Sequence, residues 1–129
     1  MLKTARWLLL PLLAVFLLLV WGQPRSWEMV LWALGRRRRF RVVENSMLPT
    51  FRDGDEVLVA VGEKRPFSPG DIVIAQHPLK AMKLIKRVDK VLADGRLFLL
   101  ADNPAESSDS RAFGPVAPQF IIGRVTGKF

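Results

Sequence analysis

The chain has 129 residues, enough for one small domain with an appendage, and half of them are apolar, which excludes an intrinsically disordered protein. It contains no cysteine, so a disulfide framework, a cysteine-based zinc site and a cysteine nucleophile are all excluded. The net charge of +8 is concentrated in residues 1–41, which hold eight Lys and Arg against Glu28 alone. A nucleic-acid-binding domain carries such charge on its folded surface, so this placement favours anionic lipid over nucleic acid as a partner.

The first predicted element is a membrane anchor. Residues 7–24 contain no charge, and a helix of this length spans roughly 27 Å, close to the thickness of a bilayer core. Trp7 and Trp21 stand where interfacial anchors would. The sequence that follows lacks the small residues of a signal-peptide cleavage site, which favours an uncleaved anchor over a cleaved signal peptide. We therefore predict an anchor with a basic flank over residues 1–25, although a start at Met29 would give a soluble form.

Residues 26–41 are predicted to form a basic juxtamembrane linker. Its apolar stretch, residues 27–34, is too short to span a bilayer and fits either membrane-surface contact or a small core helix. Five arginines between residues 36 and 41 mark the junction with the globular part. Basic residues are more frequent after the apolar run than before it, which slightly favours a cytoplasmic globular part on a single-pass membrane protein.

Residues 40–129 predict one mainly β domain, a small barrel or a set of folded sheets. The candidate strands are short and rich in Val and Ile, and turn signals such as Asp94-Gly95, typical of a hairpin, separate them. The predicted strands are residues 40–44, 56–61, 72–76, 82–92, 96–100 and 120–125.

Ser46 is the first candidate catalytic residue. It follows a predicted strand, and Pro49 ends the extended backbone soon after it. A serine on such a turn has an exposed hydroxyl and free backbone N–H groups beside it, which a nucleophile with an oxyanion hole requires. Taken alone, the pattern favours a serine that caps a turn.

Lys86 is the second candidate. On a strand it shares a face with Leu84 and Val88, so its ammonium group would lie among apolar neighbours. Burial favours the neutral amine, which acts as a general base near neutral pH once its pKa has fallen from about 10.4 to about 7. The plain alternative is a solvated strand lysine.

The third candidate is the polar loop of residues 101–111. Asp109 and Arg111 could form an ion pair there, and Asn103 could brace the turn. The plain alternative is an ordinary surface loop.

These three stretches resemble the type I signal-peptidase family of Ser/Lys proteases over residues 40–126. Four motifs agree with the family in order, spacing and identity: a nucleophile motif, a Pro-Gly-Asp turn that enters a strand, a lysine motif and a polar box. They are residues 46–50, residues 69–73, residues 86–87, and residues 102–103 with 107–111.

The resemblance implies a role for each matching residue. Ser46 would attack the scissile carbonyl, Lys86 would be its general base, and Ser107 would orient the lysine. The Ser46 backbone N–H would supply one oxyanion donor, and Met47 and Pro49 would shape the site wall. No metal or organic cofactor is implied, and the expected form is a monomer acting on a precursor protein with an N-terminal presequence. The implied structural residues beside the site are Asp102, Asn103, Asp109 and Arg111.

Two positions depart from the family pattern. Glu44 stands where many bacterial members have a hydroxyl as second oxyanion donor, so this donor is in doubt, and we expect the carboxylate to turn away. Ala101 replaces the glycine that usually opens the polar box. The large inserted β domain of many bacterial members is also absent.

A closer likeness, in residues 76–79, 97–111 and 114–116, is to the nickel-type superoxide dismutase maturation proteases. It implies removal of a short N-terminal extension from the dismutase. A membrane signal peptidase that cleaves secretory signal peptides is the alternative. Less favoured are an inactive anchored β adaptor, a self-cleaving repressor-type protease, and a Ser/His protease using His77 with Asp71 or Asp102.

Overall fold

The computed structural model describes residues 5–21 and 24–129 of the chain. Two helices come first, α1 (Ala5–Trp21) and α2 (Pro24–Ala33), and a short helix α3 (Ser110–Phe113) lies late in the chain. The strands are β1 (Arg38–Arg41), β2 (Glu56–Val61), β3 (Ile72–Gln76), β4 (Lys83–Val91), β5 (Leu97–Leu100) and β6 (Ile121–Lys128).

All six strands belong to one antiparallel sheet in the order β1-β2-β6-β3-β4-β5. The prediction of a mainly β domain is therefore confirmed. Strand β6 lies in the middle, where it joins the β1-β2 pair to the β3-β4-β5 group. The loop that contains Ser46, residues 42–55 (the nucleophile loop), connects β1 to β2 within the first group, and Lys86 lies on β4 in the second. Strand β6 therefore joins the two parts of the sheet that hold these residues.

The first strand differs from its prediction, because it covers residues 38–41 rather than 40–44. Val42 still donates its N–H to the Asp55 carbonyl over 2.7 Å, but Glu44 has a φ of 70°, which no extended strand accommodates. The sheet thus begins within the segment that the sequence suggested to be a basic linker, and the chain turns toward Ser46 earlier than expected.

The two faces of the sheet bury two apolar clusters. Alternate residues of β3 separate them: Ile74 lies in the first cluster, whereas Val73 and Ala75 lie in the second. Met47 and Phe51, from the loop after β1, fill the first cluster. The nucleophile loop is therefore anchored in the core by its apolar side chains.

Helix α2 is docked on β6, so residues 27–34 do form a small helix. Leu31 is buried, and the Glu28 carboxylate accepts hydrogen bonds from Arg37 and Thr126. The Trp32 ring meets the Phe129 ring edge-on at 5.5 Å. Much of the other face of α2 is exposed, so the alternative of membrane-surface contact stays open.

Neither α1 nor any other helix in the described part of the chain is both long and apolar enough to cross a membrane. The predicted anchor, residues 7–24, includes residues 22 and 23, which lie outside the described residues.

Candidate active site

Ser46 lies in a tight turn directly after the first strand. Ser46 is 5 % exposed. Within residues 5–21 and 24–129, neither its hydroxyl nor its backbone N–H forms a hydrogen bond. The Ser46 carbonyl, by contrast, accepts the Asn103 N–H over 2.8 Å. The turn thus holds the serine backbone from one side and leaves the two groups that acyl transfer would use available.

Lys86 lies in the middle of β4, opposite Val73 of β3, and is 3 % exposed. Its Nζ donates to Ser107 Oγ over 2.7 Å, and the Ser107 hydroxyl donates to the Ser108 carbonyl over 3.1 Å. Burial lowers the pKa of Lys86 below its ordinary value, opposed by the negative charges of Asp109 and Glu44.

Ser46 and Lys86 line the same cavity, which has a volume of about 570 Å³. Glu44 lines it too, contrary to the expectation that this side chain turns away from the site. The lining is mostly apolar and comes from β1 to β4 and the adjoining turns, a composition that suits an extended peptide with apolar side chains. It includes Phe40, Val42, Val57, Ile74, Ala81, Met82, Leu84 and Ile85, together with Gln76 at the end of β3.

Asp109 organises the polar box from a buried position. Its carboxylate accepts the Ala101 N–H over 3.0 Å and pairs with the Arg111 guanidinium over 2.8 Å. Burial alone would raise the pKa of Asp109, but the hydrogen bonds from Arg111 and from the Ala101 N–H outweigh it and lower the pKa. The buried Ser110 hydroxyl accepts the Leu99 N–H over 2.8 Å. The box is therefore tied to β5 through charged and neutral hydrogen bonds.

Asp102 and Asn103 connect the box to the two other parts of the site. Arg87, next to the lysine, donates to both Asp102 oxygens over 2.8 Å each, and Thr50 donates to Asp102 as well. The Arg87 hydrogen bonds lower the pKa of Asp102, against the effect of burial. The Asn103 side chain donates to the Asn45 carbonyl over 3.1 Å. Hydrogen bonds of Asp102 and Asn103 thus join the nucleophile loop, strand β4 and the polar box to one another.

Two residues that the resemblance placed in the site wall do not line the cavity. Met47 is completely buried in the first apolar cluster, because the turn after Ser46 directs it into the core. Pro49 is exposed outside the cavity. The wall is formed instead by the strands on either side.

Sequence reasoning missed contacts of several residues rather than the residues themselves. Arg87 and Thr50 stand in the lysine and nucleophile motifs, but no role was predicted for either, because their common partner Asp102 is distant in sequence. Glu44 was noted at its place two residues before Ser46, but the Asp53 carboxylate that accepts its backbone N–H over 2.9 Å was not predicted.

Comparison with known proteins agrees with this fold. The Peptidase S24-like family matches residues 37–126, most of the chain, and the protein belongs to this family of signal-peptidase-like proteases. Among curated proteins it is similar to mitochondrial inner membrane protease subunit 1 of Xenopus tropicalis, with 34 % identity over 102 residues. That alignment covers 62 % of this chain, and the chain spans about three fifths of the length of the curated relative.

Proposed function

We propose that the protein is a serine endopeptidase in which Ser46 is the nucleophile and Lys86 the general base. One observation carries the proposal: a buried lysine with a lowered pKa shares a cavity with a serine whose hydroxyl has no partner among the described residues. A neutral amine in this position takes the serine proton as the hydroxyl attacks a peptide carbonyl.

The hydrogen bonds of Ser107 explain how the amine is aimed. Because the Ser107 hydroxyl donates to the Ser108 carbonyl, its oxygen is free to accept an N–H from Lys86. That contact restrains the Nζ of Lys86 while leaving the lone pair of the neutral amine for the Ser46 proton. In the proposed cycle the Ser46 N–H donates to the oxyanion, the leaving amine takes the proton from Lys86, and a water activated by Lys86 hydrolyses the acyl-enzyme.

We propose that the substrate is a precursor protein and that the cut removes its N-terminal presequence. The apolar cavity favours an extended chain with small or apolar side chains before the cut. The likeness in residues 76–79, 97–111 and 114–116 supports the nickel-type superoxide dismutase precursor as the substrate. The alternative is a membrane signal peptidase that cleaves secretory signal peptides, and the name of the Xenopus tropicalis relative, a mitochondrial inner membrane protease subunit, supports a membrane protease of this kind.

We further propose that residues 7–24 hold the chain at a membrane, with the catalytic domain on the cytoplasmic side. The uncharged run and the excess of arginines after it support this arrangement. A dismutase precursor made in the cytoplasm would then reach the site without crossing the membrane.

The test is cleavage of two purified precursors, one of a nickel-type superoxide dismutase and one with a secretory signal peptide, by the full-length chain in mild detergent. Mass spectrometry identifies the new N-terminus. We expect the dismutase precursor to be cut, and Ser46→Ala and Lys86→Ala each to lower the rate by at least about 10³-fold. Ser107→Ala should retain partial activity.

Ser108→Ala is the matched control, because it removes a neighbouring hydroxyl that forms no hydrogen bond with Lys86 in the described part of the chain and keeps the backbone carbonyl that accepts from Ser107, and it should leave the rate unchanged. Undiminished cleavage by both Ser46→Ala and Lys86→Ala would exclude the dyad. Cleavage of the secretory precursor alone would favour the alternative substrate class, and no cleavage of either precursor by the wild type would favour an inactive adaptor.

A further inference from the structure

His77, the single histidine of the chain, lies directly after β3 and is used by none of the steps above. It is only 7 % exposed, and its ring packs against the Phe113 ring with the centroids 4.9 Å apart. Its Nδ1 accepts two backbone N–H groups of the next turn, from Leu79 over 2.9 Å and from Lys80 over 3.1 Å. A nitrogen that accepts two hydrogen bonds carries no proton, so the ring is neutral with its hydrogen on Nε2.

The loop that His77 holds, residues 78–82, is also held through its carbonyl groups. The Gln76 side chain donates to the Lys80 carbonyl over 3.2 Å and to the Met82 carbonyl over 3.0 Å, and the His77 N–H donates to Met82 over 2.8 Å. Gln76 therefore satisfies acceptors of the loop and the His77 ring satisfies donors. The two neighbouring side chains thus add to the backbone hydrogen bonds that hold the loop beyond the end of β3.

Apolar burial contributes little to the position of this loop. The Leu79 side chain is 78 % exposed and that of Met82 is 44 % exposed. The loop nevertheless supplies part of the cavity that contains Ser46 and Lys86, through Ala81 and Met82. A segment with so little buried surface keeps its place through its hydrogen bonds, so the His77 and Gln76 contacts determine where this wall stands.

We propose that His77 is a positioning residue of the peptidase: its Nδ1 holds residues 78–82 as the wall of the cleft against which the peptide substrate lies. This inference rests on the proposed function for its link to substrate, but the contact between the ring and the loop can be tested without any substrate. His77 touches neither reacting group, so its removal weakens peptide binding more than the chemical step.

Protonation of His77 would break the wall, since a proton on Nδ1 turns the acceptor of two hydrogen bonds into a donor. Burial lowers the pKa of His77, and the positive charges of Lys80 on the loop and Lys86 on β4 lower it further; Phe113, which faces the ring from α3, is uncharged. The neutral ring thus stabilises the loop above the ordinary pKa of 6.5, and this contribution is lost as the pH falls toward the lowered value.

Three substitutions separate the acceptor from the bulk of the side chain. Asn places an oxygen on Cγ, where His has Nδ1, whereas the Gln oxygen lies one bond further, near the place of Nε2, and Ala has no acceptor. For the full-length protein in detergent with a cleaved precursor, we expect His77→Gln and His77→Ala to raise KM roughly 10-fold with kcat changed less than about 3-fold. His77→Asn should keep KM within about 3-fold of the wild-type value. The rise in KM at low pH that protonation of His77 causes in the wild type should be absent from this variant.

Two measurements on the protein without substrate make the test independent of catalysis. The ¹⁵N shifts of the ring should show the proton on Nε2, and hydrogen exchange at the Leu79 and Lys80 amides should accelerate in His77→Gln but not in His77→Asn. A proton on Nδ1, equal exchange in the three variants, or a loss of kcat with unchanged KM would each overturn the proposal. Absence of all peptidase activity would instead contradict the proposed function. The exchange data would still show whether the His77 ring holds the Leu79 and Lys80 amides.

Discussion

The chemistry proposed for Lys86 depends on a balance between burial and charge. Burial disfavours the ammonium form, and the donor bond to Ser107 restrains the amine. Asp109 opposes the effect of burial, but its carboxylate is already neutralised by Arg111. Glu44 has no such partner among the described residues, so its charge acts on the lysine from the cavity side. We therefore expect Glu44 to determine the pH at which activity is lost on the acid side of the profile.

Glu44→Gln should move the acid limb of the kcat/KM profile to lower pH. Removing the negative charge removes an influence that raises the pKa of Lys86, so the neutral amine persists at lower pH. The measurement is the rate of precursor cleavage against pH. Glu106→Gln, on the exposed side of the polar box, is the matched control and should not move the limb. A limb that stays in place, or moves to higher pH, would show that Glu44 does not act on the lysine.

At the scale of elements, β6 holds the two halves of the site in register. It pairs with β2 on one side and with β3 on the other, and Gly123 lies opposite Val61 of β2 and Ile74 of β3. A Cβ at Gly123 would lie 2.4 Å from the Ala60 carbonyl oxygen and 2.7 Å from a Val59 methyl group. Glycine is thus required there for close approach of the strands, which brings the nucleophile loop and the lysine strand together.

Gly123→Ala should destabilise the protein strongly, because the Ala60 carbonyl cannot move without distorting the ladder. We expect a loss of at least about 2 kcal/mol, or a fall in Tm of roughly 5 °C or more, with a parallel loss of activity. Thermal unfolding followed by circular dichroism measures it. Gly127→Ala is a matched control in the same strand, since its Cβ would meet only the Glu28 Cγ at 3.7 Å. Equal Tm values for the two variants would refute the close-approach argument.

At the scale of the whole molecule, the uneven charge bears on where the protein works. Residues 1–41 carry most of the net charge, whereas acidic and basic residues nearly balance in the rest of the chain. In the folded structure Arg37 pairs with Glu28, and Arg39 pairs with Glu56, while Arg36, Arg38 and Arg41 remain exposed. These three exposed arginines, which follow α2 in the chain, support attraction to an anionic lipid surface.

The proposed orientation predicts that a C-terminal tag on the full-length chain is protected from added protease in intact cells and digested after permeabilisation. In this proposal the excess of arginines after the uncharged run would keep that part of the chain in the cytoplasm. Digestion in intact cells would place Ser46 outside, which would remove cytoplasmic precursors as substrates and favour secretory presequences.

The sequence by itself was sufficient to predict the β class, four of the strands to within one residue, and the motif residues, because these depend on local alternation, turn residues and motif spacing. It could not show that Met47 belongs to the core, that Arg87 and Thr50 meet on Asp102, or that Glu44 lines the cavity. Those facts depend on contacts between residues far apart in the chain, which exist only once β6 has brought the two halves of the sheet together. The positive φ at Glu44 and the acceptor role of His77 are likewise consequences of tertiary packing, which decides backbone conformation and protonation where local sequence preference leaves both open.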